Sequence, residues 1–78
     1  MNREEVLNRL QKIFRELFDD ETMILTEELK ADDLEKWDSI QHISILTEVS
    51  EEFGISFSMD ELQNISSVRD IVEGVLKK

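Results

Sequence analysis

The chain has 78 residues, 40% of them apolar, and a formal net charge of −10. That length fits one small domain, residues 1–78, with a thin core, because so short a chain buries only about 60% of the surface its unfolded form exposes. With no cysteine and a single histidine, disulfides, thiolate metal sites and a thiol nucleophile are excluded.

The charge argues against nucleic acid as a partner, since binding it depends on neutralising phosphates with Lys and Arg. A basic protein surface fits better. Absence of proline and only two glycines favour helix over a turn-rich β fold. No apolar run is long enough to span a membrane, and Met1-Asn2-Arg3-Glu4-Glu5 is no signal peptide, so the expected location is cytoplasmic. All nine basic residues lie outside Trp37 to Val68, while Asp38, Glu48, Glu51, Glu52, Asp60 and Glu61 lie inside it. This marks either a docking face for a basic partner or an ordinary solvated acidic surface.

Asn2 can cap a first helix and Glu5 can reach back to it. Val6, Leu7, Leu10, Ile13, Phe14, Leu17 and Phe18 then recur at helical spacing, which predicts an amphipathic helix to about Phe18. Asp19-Asp20-Glu21 opposes the helix dipole and ends it. From Asp19 to Asp38 the periodicity is weak. Met23, Ile24, Leu25, Leu29, Leu34 and Trp37 are spaced as anchors of a loop lying across a core, with a short turn at Thr26-Glu27-Glu28-Leu29. Structureless connections this long are uncommon and often functional; the alternative is a short helix hidden within this one.

Asp38 or Ser39 opens a second helix, to about Phe53. Ile43, Ile45, Leu46, Val49 and Phe53 share an arc of roughly 160° that predicts its core face. Ile40 falls among the polar residues, exposed beside Ser39. Gly54 supplies a left-handed stop. Ile55-Ser56-Phe57-Ser58 reads as an extended linker, tucking Ile55 and Phe57 inward. Ser58-Met59-Asp60-Glu61 is a capping box for a short third helix with Leu62 and Ile65 on one face. Ser67-Val68-Arg69-Asp70 begins a fourth helix burying Val68, Ile71, Val72, Val75 and Leu76, weakened at Gly74 by up to about 1 kcal/mol relative to Ala.

Little chemistry is possible within such a chain. A serine nucleophile needs a base with an orienting group, and an oxyanion hole besides. The only histidine, His42, lies about one turn along the same helix as Ser39, and no glycine-rich turn is near. His42 reads as a helix residue at the core edge, and no catalytic residue is expected. Asp19-Asp20-Glu21 and Asp32-Asp33 lack the ligand pattern of a calcium loop, so no metal site is expected. Ser39 remains. As a hydroxyl at a helix start it is either a simple cap or an acceptor for a group attached from outside, where an anionic ester gains about 0.3–1 kcal/mol from the helix terminus.

Asp38-Ser39-Ile40 resembles the Asp-Ser-Leu motif of acyl carrier proteins, and the likeness extends over the whole chain. It includes the long first helix and loop, Glu51-Glu52-Phe53-Gly54 closing the second helix, the short third helix, and Ile65-Ser66-Ser67-Val68 leading into the last. The resemblance implies an all-α fold, a small four-helix bundle with a long first loop and a short third helix, and a carrier rather than an enzyme. It implies 4′-phosphopantetheine attached covalently to Ser39, with Asp38 beside it, holding acyl groups as thioesters. The partners it implies are a phosphopantetheinyl transferase, an acyl-activating ligase or acyltransferase, and condensing or transferring enzymes with basic docking patches. A monomer is expected, with partner contacts at Trp37, Ile40, Glu48, Glu51 and Met59.

Lys36 and Trp37 depart from the fatty-acid-synthesis pattern, where Lys36 replaces the usual glycine. Gln41 and Ser44 replace two common acids. These departures argue against docking to the general fatty-acid enzymes, while Trp37 and His42 resemble stand-alone carriers dedicated to a specialised pathway. An aminoacyl carrier (D-alanyl or peptidyl) and an unmodified acidic helical adaptor are the alternative readings.

Overall fold

The computed structural model describes residues 1–78. Four α-helices and one 3-10 turn follow in order, with no strand: α1 (Arg3–Leu17), the turn Ala31–Asp33, α2 (Ser39–Phe53), α3 (Met59–Asn64) and α4 (Val68–Leu76). Each α-helix begins at a predicted cap. Asn2, Asp38, Ser58 and Ser67 accept the backbone N–H of Glu5, Gln41, Glu61 and Asp70, satisfying donors that have no partner inside a helix. At Ser58 the capping box is complete in both directions. Two helices stop through left-handed residues. Gly54 closes α2 at φ 63°. After α1 the role falls to Asp19, at φ 51°, and the next amide, Asp20, bonds the Arg15 carbonyl at 3.0 Å, a Schellman-type closure.

The core is the meeting of three apolar stripes. Val6, Leu10, Ile13 and Phe14 of α1, Ile45, Leu46 and Val49 of α2, and Val68, Ile71, Val72 and Val75 of α4 are buried together. Phe18, Leu25, Trp37 and Ile65 close it from the connections. α1 packs on both α2 and α4. α3 contributes no buried residue and lies over the rim.

The long first connection is ordered, and the short helix hidden in it is the 3-10 turn Ala31–Asp33. Backbone bonds stitch this connection to the α3–α4 link: Ala31 N–H to the Ser66 carbonyl at 2.9 Å, Val68 N–H to Leu29 at 2.9 Å and Arg69 N–H to Glu27 at 3.2 Å. Side chains of α1 hold its near end. Gln11 Oε1 accepts the Leu25 amide at 2.9 Å, and Arg15 Nε donates to the Met23 carbonyl at 2.7 Å.

Three expectations are corrected. Ile24, read as an anchor, is 77% exposed, because the burial at this turn goes to its neighbour Leu25. Ile43, read as core, is 63% exposed. It sits at one edge of the apolar arc of α2, and α3 is too short to cover that edge. Leu76, in the last turn of α4, is also exposed, since the stripe runs past the end of the core.

Candidate functional site

The site forms where the ordered connection meets α2. Asp38 adopts an extended backbone, and its Oδ1 accepts the Gln41 amide at 2.8 Å, while its carbonyl accepts the His42 amide at 2.8 Å. Asp38, not Ser39, is therefore the cap. Ser39 is the first helical residue and is exposed. Its hydroxyl takes no part in capping. The Ser39 and Ile40 amides have no acceptor in the chain. Two free N–H groups and the positive end of the α2 dipole thus converge next to an available hydroxyl.

Beside Ser39 a groove of about 670 Å³ runs between α2 and α3, lined by Asp38, Ser39, Ile43, Met59, Leu62 and Ile65 among others. Its mouth is apolar. Ile40 is 78% exposed and Met59 68%, and with Ile43 they surround the serine.

Trp37, expected among the partner contacts, is buried. Its ring meets Phe14 edge to face at 5.3 Å between centroids, a favoured aromatic geometry. The burial matches its reading as an anchor of the first connection and corrects only its place among the partner contacts: the apolar indole completes the core where the connection turns into α2. Its Nε1–H donates to His42 Nδ1 at 3.0 Å, and His42 Nε2 lies 2.9 Å from the Leu62 carbonyl. Sequence reasoning placed His42 at the core edge but missed this bridging role. The available signal was the indole itself, because a buried Trp N–H requires an acceptor and His42 is close along the chain.

Glu48 and Glu51 are exposed on α2. At 1.5 Å per residue they lie about 14 and 18 Å along the helix axis from Ser39. They flank the site without entering the groove. Glu52 is partly neutralised by Arg9, 3.7 Å away, whose guanidinium also sits 5.5 Å from the Phe53 ring centroid. No group of acidic and histidine side chains is arranged to hold a metal, and no helix is long and apolar enough to cross a membrane.

These features define a helical scaffold presenting one serine rather than a catalytic cleft. Residues 8–75 match the family model described as a phosphopantetheine attachment site. The acyl carrier protein of Rubrobacter xylanophilus is 32% identical over 78 residues, covering 99% of this chain and 95% of that one. That of Thermotoga maritima is 31% identical over 77 residues, with the same coverage. The solution structure of the holo acyl carrier protein from Geobacter metallireducens superposes with a TM-score of 0.85 at 37% identity, over 94% of this chain and 84% of that one. The chain belongs to the acyl carrier protein family, whose members are carriers and not enzymes, and its prosthetic group is phosphopantetheine.

Proposed function

We propose that Ser39 is the residue that bears the 4′-phosphopantetheine, and that the chain, acting as one carrier domain over residues 1–78, delivers acyl or aminoacyl intermediates to enzymes of a specialised biosynthetic pathway. One observation carries this: Asp38 takes the capping bond, so the Ser39 hydroxyl and the Ser39 and Ile40 amides are all left without partners. A phosphodiester at that oxygen would find two N–H donors and a favourable dipole at once.

In the loading step the Ser39 oxygen forms a new bond to phosphorus. The diphosphate bond of coenzyme A breaks, adenosine 3′,5′-bisphosphate leaves, and the hydroxyl proton passes to a base of the magnesium-dependent transferase. Once attached, the group supplies a thiol that holds cargo as a thioester. The residues of the chain then do the presenting. Asp38 keeps the helix start formed, and the α2–α3 groove offers an apolar resting place at its mouth. Ile40 and Met59 offer an apolar contact to the partner. Glu48 and Glu51 meet a basic patch, which favours fast, reversible encounter. A flexible arm anchored at Ser39 raises the effective concentration of cargo at each docked enzyme. The assignment to a specialised pathway rests on the likeness of Trp37 and His42 to stand-alone carriers, and Lys36, Gln41 and Ser44 support it by replacing the glycine and two of the acids usual near the site in carriers of fatty-acid synthesis.

The test is intact mass after incubation with coenzyme A, magnesium and a broad-specificity phosphopantetheinyl transferase. The expected result is a gain of one phosphopantetheine by the native chain and none by Ser39→Ala. A folded native chain that gains nothing beside an active control carrier would overturn the assignment and favour an unmodified adaptor.

A further inference from the structure

α3 forms one wall of the groove beside Ser39, yet none of its six residues is buried. Its anchors can be named. Lys78 Nζ pairs with Glu61 at 3.1 Å and lies 5.7 Å from the centroid of the Phe57 ring. Leu62 packs partly against the core. The third anchor is His42 Nε2, 2.9 Å from the Leu62 carbonyl.

The direction of that third bond follows from its neighbour. An indole N–H only donates, so His42 Nδ1 accepts from Trp37 and the ring proton belongs on Nε2. Nε2 then donates to Leu62, whose carbonyl lies near the C-terminal end of α3, where carbonyls lack partners within the helix. His42 thereby links the first connection, α2 and α3 through one ring.

Space opens on both sides of this link. On one side is the groove of about 670 Å³, whose wall includes Trp37 and His42 themselves. On the other is a smaller cleft of about 120 Å³, lined by Ile43, Leu46, Thr47, Ser50, Phe57 and Leu62. Ile43 and Leu62 line both spaces and so form the partition between them. We propose that His42 is a positioning residue: by holding the Leu62 carbonyl against α2 it keeps α3 in place as this partition, and so sets how far cargo brought to Ser39 reaches along the α2–α3 seam. The cargo step rests on the carrier reading above; the tether does not.

The tether is tested on the unmodified chain by amide hydrogen exchange in the native protein, His42→Ala and His42→Gln. Glutamine retains an acceptor for the indole and a donor for the Leu62 carbonyl. In His42→Ala the Leu62 and Ile65 amides, bonded to Ser58 and Glu61, are expected to exchange about tenfold faster, the α1 amides by less than about twofold, with His42→Gln restoring native rates. Equal acceleration in α1 and α3 would reduce His42 to a contributor to overall stability, and unchanged rates would remove the tether; either overturns the proposal.

The cargo step is tested on chains loaded with acetyl, hexanoyl or dodecanoyl groups by the rate of thioester cleavage with hydroxylamine. Protection in the native protein is expected to level off with chain length. In His42→Ala the dodecanoyl thioester should be cleaved several-fold more slowly than in the native protein, and in His42→Gln, which keeps the tether and most of the side-chain volume, at the native rate. An identical length profile in both overturns this step. Failure of the native chain to accept phosphopantetheine would instead overturn the carrier reading, and the exchange experiment would still decide the tether.

Discussion

The Trp37 indole N–H donates to Nδ1 of His42 at 3.0 Å, and the two ring planes are inclined by 27° with centroids 6.2 Å apart. The neutral imidazole is therefore expected to be the Nε2–H tautomer, read from its ring nitrogen shifts at mildly alkaline pH. Replacing Trp37 by Phe deletes the donor, leaves Nδ1 unpaired and removes buried volume. A loss of about 1–3 kcal/mol in denaturant unfolding is expected.

Glu27 gathers the largest cluster of opposite charge. Arg3 makes a paired hydrogen bond to it, its Nε at 3.3 Å, and Arg69 lies 3.9 Å away. The bond from Arg3, with a smaller charge contribution from Arg3 and Arg69, holds the Glu27 carboxyl below its ordinary value of 4.5. A carboxyl depressed in the folded state stabilises the fold above its unfolded value, and that contribution is lost as pH falls through the folded one. Glu27→Gln should therefore melt below the native protein at pH 7, and the gap should close as pH drops below the ordinary glutamate value. Because the pair is exposed, raised salt should narrow the gap as well.

Asp19 holds a left-handed conformation at φ 51° and places a negative charge at the C-terminal end of α1. Both features are unfavourable there. Asp19→Gly should stabilise the fold by about 1 kcal/mol, since glycine adopts that conformation without penalty. Asp19→Val should destabilise it. Thermal melts of the two variants would check both.

Gly74 sits inside α4, where alanine would ordinarily gain about 1 kcal/mol. A Cβ there would lie 3.1 Å from the Phe57 ring. Gly74→Ala should therefore gain less than the helix scale predicts, and Gly74→Val should lose about 1–3 kcal/mol by overpacking. Phe57→Leu should restore much of the alanine gain, a coupling readable in a double-mutant cycle.

Association with the transferase should weaken as salt rises from about 0.05 to 0.5 M, as exposed charges are screened. Glu48→Lys together with Glu51→Lys should slow the association rate more than they alter dissociation. Binding insensitive to both changes would rule out the acidic side of α2 as the docking face.

The helices were legible because their signals are local. Each cap is a residue whose side chain meets an amide three positions on, and Gly54 marks its own stop. The core face of α2 was legible at its centre and misread at its edge. Periodicity gives the direction in which Ile43 points, but not the length of the helix opposite it. The connection after α1 was opaque for the same reason. Its partners are Ser66, Val68 and Arg69, distant in the chain and joined through backbone atoms that carry no side-chain signature. Ser39 was legible as a hydroxyl at a helix start. That Asp38 would take the cap and leave Ser39 free depended on backbone geometry.

The stitching of the first connection to the start of α4 limits how the chain can vary in length. Leu29 and Glu27 supply the carbonyls for the Val68 and Arg69 amides, while Ser67 caps Asp70, so the opening turn of α4 is completed by residues far upstream. An insertion or deletion between Glu27 and Ala31 would strip the acceptors from the first amides of a distant helix. One at the exposed Glu21-Thr22 turn would leave that pairing intact. Grafts, reporter loops and protease sites therefore belong at that turn, even though both places lie within the same stretch between helices.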